Sequence, residues 1–241
     1  MINELEKQIK LYNNDCLEVL PNIKENSIDL VVIDPPYKIV GNGFKSPAGN
    51  FKDRDIFRND IKNIKDGFDF KVFYELDRIQ KKWNCYIYCN KDLLCDLIVF
   101  FKTNYPKLNL DVLVERIKNP TPFCNTYLNN LDYILFIREN GVKINGTYHT
   151  KTKYREKNTN KRDKELYKHP TCKYEELISD YVLNSSNEGD VVLDCYMGSG
   201  TTGAICKKLN RKFIGVEIEQ KYFDIAKERI NSDKRTRETV F

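Results

Sequence analysis

The sequence predicts an α/β fold built on a doubly wound, mostly parallel sheet, and three features predict it. Short, continuous apolar runs such as Ser27 to Asp34 (SIDLVVID) carry the signature of strands covered on both faces. These runs alternate with longer segments that place apolar residues at helical spacing and charges between them. Two of the predicted strands carry a carboxylate near a proline or glycine turn: Asp34 stands directly before Pro35-Pro36, and Asp194 stands four residues before Gly198.

In chain order, the first strand expected is Ser27 to Asp34. Asp69 to Trp83 reads as a helix with charged outer positions, and Asn84 to Asn90 (NCYIYCN) as a strand. Lys91 to Tyr105 reads as a helix, Leu110 to Ile117 as a strand and Leu131 to Glu139 as another. Lys173 to Ser186 is a predicted helix, Asp190 to Tyr196 a strand, Thr201 to Asn210 a helix, Lys212 to Glu219 a strand and Gln220 to Asn231 a closing helix. Such alternation favours right-handed crossovers within one domain over the whole chain, 1–241. Two stretches have no regular pattern: residues 41–68, with their Gly, Pro and Asn residues, and a basic segment from Ile144 to Lys168. Long irregular stretches in a compact domain are commonly functional, so 41–68 and 118–168 are read as insertions into the core pattern.

Composition narrows the classes. With 241 residues and 41% hydrophobic content the chain can bury a large core. The sequence has no apolar run long enough to span a bilayer and starts without a signal-peptide core, so a soluble, cytoplasmic protein is expected. The eight cysteines are scattered without CxxC spacing, which points to reduced thiols and to neither a zinc site nor a disulfide framework. Trp83, at the end of a predicted helix, is expected in the core; His149 lies in a basic run and is expected to be solvated. Net charge is +5, which permits a polyanionic partner. The charge is concentrated: Lys151, Lys153, Arg155, Lys157, Lys161, Arg162, Lys164 and Lys168 face only Glu156, Asp163 and Glu165 in the basic segment.

The stretch Val191 to Glu219 runs from a strand ending at Asp194, through the turn Gly198-Ser199-Gly200 into a helix, to a second strand ending at Glu217. Gly198, Gly200 and Gly203 satisfy the GxGxxG spacing, and an acidic residue follows at the next strand end. Such turns bring backbone close to ligands, although they also serve as packing corners. A carboxylate at the end of a strand can accept hydrogen bonds from both hydroxyls of a ribose, so an adenosine-containing cofactor is expected. A nicotinamide enzyme would carry this pattern on its first strand, whereas here it lies in the last fifth of the chain. The rest of the sheet must come from the N-terminal part, where Asp34-Pro35-Pro36-Tyr37 already ends a strand.

Four motifs in fixed order then carry a resemblance. DPPY at Asp34 to Tyr37, HPTCK at His169 to Lys173, LDCYMGSGTT from Leu193 and GVEIE from Gly215 resemble the amino-group DNA methyltransferases that use S-adenosylmethionine. The catalytic motif precedes the glycine motif, as in the β group, a circularly permuted Rossmann-like methyltransferase fold. The segment Asn14 to Leu20 (NDCLEVL) resembles the family's stretch upstream of the catalytic strand.

The resemblance implies a mechanism with physical content. An exocyclic amine has its lone pair delocalised into the ring, and acceptors for its hydrogens favour the tetrahedral geometry that attack on a methyl sulfonium needs. Asp34 would supply a carboxylate and Pro35 its carbonyl, while Pro35 and Pro36 fix φ and donate no competing N–H. Tyr37 would stack on a base rotated out of the duplex. By the same resemblance Asp194, Gly198, Gly200, Thr201 and Thr202 would line the methionine part of the cofactor. Glu217 would hold the ribose, Asp15 and Cys16 would meet the adenine ring, and Thr171 and Lys173 would approach the methionine carboxylate. Tyr174 stands where the family usually has proline, and Asp194-Cys195-Tyr196 where it often has Asp-Pro-Phe.

Aspartate at the first motif position resembles adenine-N6 enzymes, since cytosine-N4 enzymes commonly carry serine there. The expected partner is double-stranded DNA, with a homodimer and a restriction-modification setting also implied. Lys38, Asn119, Phe123 and Asn125 are candidate DNA contacts, and Lys151, Lys153 and Arg155 would neutralise phosphates. The alternatives are a cytosine-N4 enzyme, an RNA or protein amide methyltransferase, a noncatalytic DNA-binding subunit and an NAD-dependent oxidoreductase. The last leaves Asp34 to Tyr37 unexplained.

Overall fold

The computed structural model describes residues 8–36, 69–120, 127–158, 165–167 and 172–232. Tyr37, Lys38, Phe123, Asn125 and Thr171, together with 41–68 and most of 159–171, lie outside the described residues.

The strands are β1 (Ile9–Asn13), β2 (Leu30–Ile33), β3 (Asn84–Cys89), β4 (Asn109–Ile117), β5 (Leu131–Arg138), β6 (Tyr154–Lys157), β7 (Val191–Asp194) and β8 (Lys212–Glu217). They form one sheet of order β1-β8-β7-β2-β3-β5-β4-β6. The run from β1 to β3 is parallel throughout, β5 is antiparallel to both β3 and β4, and β6 returns parallel to β4. The helices are α1 (Cys16–Val19), α2 (Val72–Ile79), α3 (Lys91–Asn104), α4 (Glu175–Ser185), α5 (Thr201–Lys208) and α6 (Gln220–Asn231). The expected mostly parallel, helix-covered sheet is therefore present.

Strand periodicity divides the core in two. Val31 and Ile33 of β2 point to one face, where α1, α2 and α3 pack through residues such as Val19, Phe73, Leu76, Leu97 and Phe101. Leu30 and Val32 point to the other face, against Ile178 and Val182 of α4, Ile205 of α5 and Ala226 and Ile230 of α6. Both faces being covered explains why β2 and β3 are buried at every position and read as unbroken apolar runs. Helix α3 illustrates the local logic: Asn90 caps it by accepting from the Leu93 N–H at 2.8 Å, and Leu93, Leu97 and Phe101 recur every four residues to form its buried stripe. Trp83 is buried, as expected, and its indole N–H donates to Asp77.

Two strands depart from the sequence reading. β1 has no long apolar run, because half of it faces solvent at the sheet edge. β6 lies inside the basic segment expected to be weakly structured. It forms because β4 offers an open edge, and because Lys157 at its end is buried against acidic partners. Among the described residues no helix is long and apolar enough to cross a membrane.

The third glycine of the GxGxxG spacing serves packing. A Cβ on Gly203 of α5 would meet Ile230 Cδ1 at 2.4 Å and the Phe213 ring at 2.7 Å, both buried. Overpacking of about 1–3 kcal/mol should outweigh the roughly 1 kcal/mol gained in helix propensity. Gly203→Ala is therefore expected to lower the denaturant midpoint without changing the slope of the transition, and an unchanged or raised midpoint would refute this packing account.

Candidate functional site

The parallel strands deliver their carboxyl ends to one edge of the sheet. Asp34 follows β2, Asp194 ends β7 and Glu217 ends β8, and these three strands are sequential neighbours in the order β8-β7-β2. The chain segment after β1 brings Asp15 and Cys16 to the same edge. Residues from the first thirty-odd positions and from the last fifth of the chain thus meet, as the motif order required.

Asp34 is partly buried. Its Oδ2 takes an ion pair from Lys173 Nζ at 2.8 Å, while Oδ1 is buried and has no hydrogen-bond partner among the described residues. An unmatched buried acceptor is costly, so such an atom marks a place where a donor from outside the chain would be welcomed. Pro35, also buried, and Pro36 continue the strand end without adding an N–H donor. Lys173, expected from the sequence near a cofactor carboxylate, pairs with Asp34 and lies above the Tyr88 ring, 4.3 Å from its centroid.

Asp194 is fully enclosed. Its Oδ2 accepts from the Thr202 hydroxyl at 2.7 Å and its Oδ1 from the Tyr196 N–H at 3.1 Å. Burial pushes its carboxyl up to about 7, with the charges of Asp34 and Glu217 acting in the same direction and these hydrogen bonds opposing. Glu217 is also shifted upward by burial, while N–H groups of Glu219 and Gly198, both at 2.9 Å, hold one carboxylate oxygen each. Each oxygen keeps further acceptor capacity. Three carboxyls gathered at one edge, two of them raised by desolvation, make a site that favours a cationic ligand with hydroxyl or amine donors.

The glycine turn is held rigidly. Gly198 and Gly200 adopt φ of 49° and 76°, and a Cβ on Gly200 would sit 2.9 Å from that of Ala226. The absent side chain at Gly200 thus admits α6, a packing requirement in addition to any approach of a ligand. Thr201 accepts from Arg229 Nη1 at 2.8 Å, and Thr202 is committed to Asp194, so both hydroxyls brace the turn from within. Asp15 caps α1 by accepting from the Leu17 N–H. The Cys16 thiol donates to the Tyr196 hydroxyl at 3.3 Å, and its hydrogen bonding with Cys195 and Tyr196 lowers its pKa against the effect of burial.

Sequence reasoning missed Arg229, Tyr88 and Glu115. Arg229 reaches Ser199 and Thr201 of the turn, the Cys172 sulfur and, at 2.9 Å, Glu175 of α4. Its signal was present: an arginine on the stripe of Ala226 and Ile230 falls on the buried face of its helix. Of the expected phosphate contacts, Lys151 is exposed, whereas Lys153 pairs with Asp111 and Arg155 with Asp180 and the His149 carbonyl. Asn119 and His149 are exposed.

The raised Asp194 carboxyl sets a sign for stability. Its folded value lies above the 3.8 of an ordinary aspartate. Its contribution is therefore complete below pH about 4 and is lost as pH rises through about 7. The denaturant midpoint of the wild type should fall relative to that of Asp194→Asn across this interval and run parallel to it above; a difference independent of pH from 4 to 8 would sink the assignment.

Comparison with known proteins agrees with this arrangement. A family model described as DNA methylase matches residues 28–228. Type II methyltransferase M2.LlaDCHI of Lactococcus lactis subsp. cremoris is 30% identical over 240 residues, 92% of this chain and 88% of that protein. Type II methyltransferase M.HpaI of Haemophilus parainfluenzae is 31% identical, over 93% of this chain and 74% of its own length. Among solved structures, the M1.HpyAVI–SAM complex has a TM-score of 0.68 at 24% identity, covering 93% of this chain and 100% of its own. The cytosine-N4-specific PvuII DNA methyltransferase has a TM-score of 0.69 at 15% identity, covering 94% and 88%, and at such identities these likenesses establish the fold. The matched region takes in all three carboxylate-bearing strand ends and the glycine turn, and this chain belongs to the DNA methylase family.

Proposed function

We propose that this protein methylates the exocyclic N6 of adenine at a specific site in duplex DNA, with S-adenosylmethionine as methyl donor. The observation that carries this reading is the unpartnered, buried Oδ1 of Asp34 at the carboxyl edge of the sheet. Among the described residues it is an acceptor with no donor of its own, which is what an amine hydrogen requires.

S-adenosylmethionine, when bound, supplies an electrophilic methyl group on a sulfonium. Its two positive charges suit an edge that gathers Asp34, Asp194 and Glu217, and its ribose hydroxyls suit the spare acceptor capacity of Glu217. Asp194 and the turn from Gly198 to Thr202 would line the methionine part, and Asp15 and Cys16 the adenine. Asp34 Oδ1 and the Pro35 carbonyl accept hydrogen bonds from the target amine and draw it toward tetrahedral geometry. Lys173 holds the other oxygen of Asp34, so the acceptor cannot turn away from the base. Rate enhancement then comes from positioning and preorganised charge, without a covalent intermediate on the chain. The target base must leave the stack, and Tyr37 would receive it.

Aspartate at position 34 supports adenine, by resemblance to adenine-N6 enzymes. The relatives are named type II methyltransferases, which supports a restriction-modification setting and an intracellular substrate. DNA contact would fall to Lys38, Asn119, Phe123, Asn125 and Lys151, with 41–68 and 118–168 as the recognition insertions. Lys153 and Arg155 would reach phosphates only by exchanging their present acidic partners. A homodimer is part of the same reading, and sedimentation at enzyme concentrations tests it.

Transfer of tritiated methyl from S-adenosylmethionine to duplex DNA, followed by digestion to nucleosides, tests the whole. We expect N6-methyladenine from the wild type and a rate lower by about 10²–10⁴ in Asp34→Ala, with cofactor binding retained. Labelled N4-methylcytosine would overturn the base assignment, and absence of labelled DNA would overturn the substrate.

A further inference from the structure

The acceptor Asp34 stands at the end of a chain of contacts that reaches across the sheet into its antiparallel half. Lys173 Nζ, 2.8 Å from Asp34 Oδ2, rests over the face of Tyr88 on β3, 4.3 Å from the ring centroid. The Tyr88 hydroxyl donates to Glu115 Oε1 on β4 at 2.8 Å, and the Tyr181 hydroxyl donates to the same oxygen at 2.7 Å. Glu115 Oε2 takes Lys157 Nζ of β6 at 2.5 Å, and that ammonium also reaches Asp132 of β5 at 2.7 Å. Glu115 is 1% exposed and Lys157 9%, so this is a charged cluster inside the protein.

A buried ion pair of this kind adds little to stability, because desolvation consumes most of the Coulombic gain. Its geometry, however, is exact in its direction of effect on Tyr88. A phenol that donates to a buried carboxylate becomes richer in π density, and a richer ring face holds a cation more firmly. The ring also cannot turn, since the hydroxyl is fixed at one end and all of β3 is enclosed.

We propose that Tyr88 and Glu115 are positioning residues for methyl transfer. Glu115 fixes and polarises Tyr88, the Tyr88 face carries the Lys173 ammonium, and Lys173 holds Asp34 so that Oδ1 stays available to the target amine. This rests on the reading of Asp34 as the amine acceptor. Neither residue touches the substrate, and both act through Lys173.

Two measurements separate this inference from that reading. Lysine labelled with 13C at Cε reports the contact without catalysis: the Lys173 methylene, assigned by its loss in Lys173→Arg, should resonate upfield of ordinary lysines. Tyr88→Leu should abolish that shift, and an ordinary Lys173 resonance in the wild type would overturn the proposal even if the enzyme were inactive. In single-turnover transfer, Tyr88→Leu should slow the chemical step about tenfold and Tyr88→Phe about two- to fivefold, with dissociation constants for cofactor and duplex unchanged. A wild-type rate in folded Tyr88→Leu would refute it. Should Tyr88→Leu not fold, Tyr88→Phe decides: an unchanged rate counts against the proposal. Glu115→Gln, which keeps the volume and weakens the polarisation, should resemble Tyr88→Phe. Loss of cofactor affinity instead of rate would show that Lys173 serves the cofactor and would overturn the proposal. No methylated DNA from a wild type whose Lys173 is shifted would sink the substrate assignment and leave the contact standing.

Discussion

Parallel backbone pairing of β8, β7 and β2 is the constraint on which the site depends. Leu30 pairs with Val192 and Leu193 with Ile214, so β2 is locked in register against two strands far from it in sequence, with all three carboxyl ends at one edge. Parallel pairing is what gives all three the same sense, and the register is what brings Asp34 and Glu217 within electrostatic reach of Asp194. Their mutual repulsion and desolvation are tolerated because backbone N–H groups, hydroxyls and Lys173 each take part of the charge. A slip of one residue would exchange the side chains that β2 presents to its two buried faces and displace the carboxyls, so packing of the core and assembly of the site are one requirement.

Much of this is legible in the sequence because burial on both faces leaves an unmistakable pattern. β2, β3, β7 and β8 appear as short apolar runs, and α3 and α6 as periodic ones, with ends within a few residues of those observed. The edge strands β1 and β6 escape because each is half solvated, and a half-solvated strand reads as polar chain. The carboxylates and the glycine turn are legible through their positions at strand ends. Their partners are not: Lys173 on Asp34, Arg229 on Thr201 and Tyr88 on Glu115 are contacts between residues 27 to 139 positions apart, which no local pattern records.

The basic segment shows that a charge run can serve the fold itself. In sequence it is a surplus of lysine and arginine, suited to a phosphate backbone. In the fold, Lys153, Arg155 and Lys157 meet Asp111, Asp180 and Glu115, acids supplied by β4 and α4. Charge complementarity within the chain thus consumes part of what composition alone would assign to a partner. Lys157 in particular is a structural cation that ties an edge strand to the interior.

The pairing of β2 with β7 also has a consequence for synthesis. Residues 30 and 192 cannot meet until the chain through β7 has been synthesised, and closing so long a loop is slow relative to forming helices α2 and α3. The carboxylate edge is consequently among the last features to be assembled, and a nascent or truncated chain ending before β7 carries Asp34 with neither of its neighbouring carboxyls nor the glycine turn. Such a fragment lacks two of the three strand-end carboxyls and the whole glycine turn, so the site exists only in chains that extend through β8.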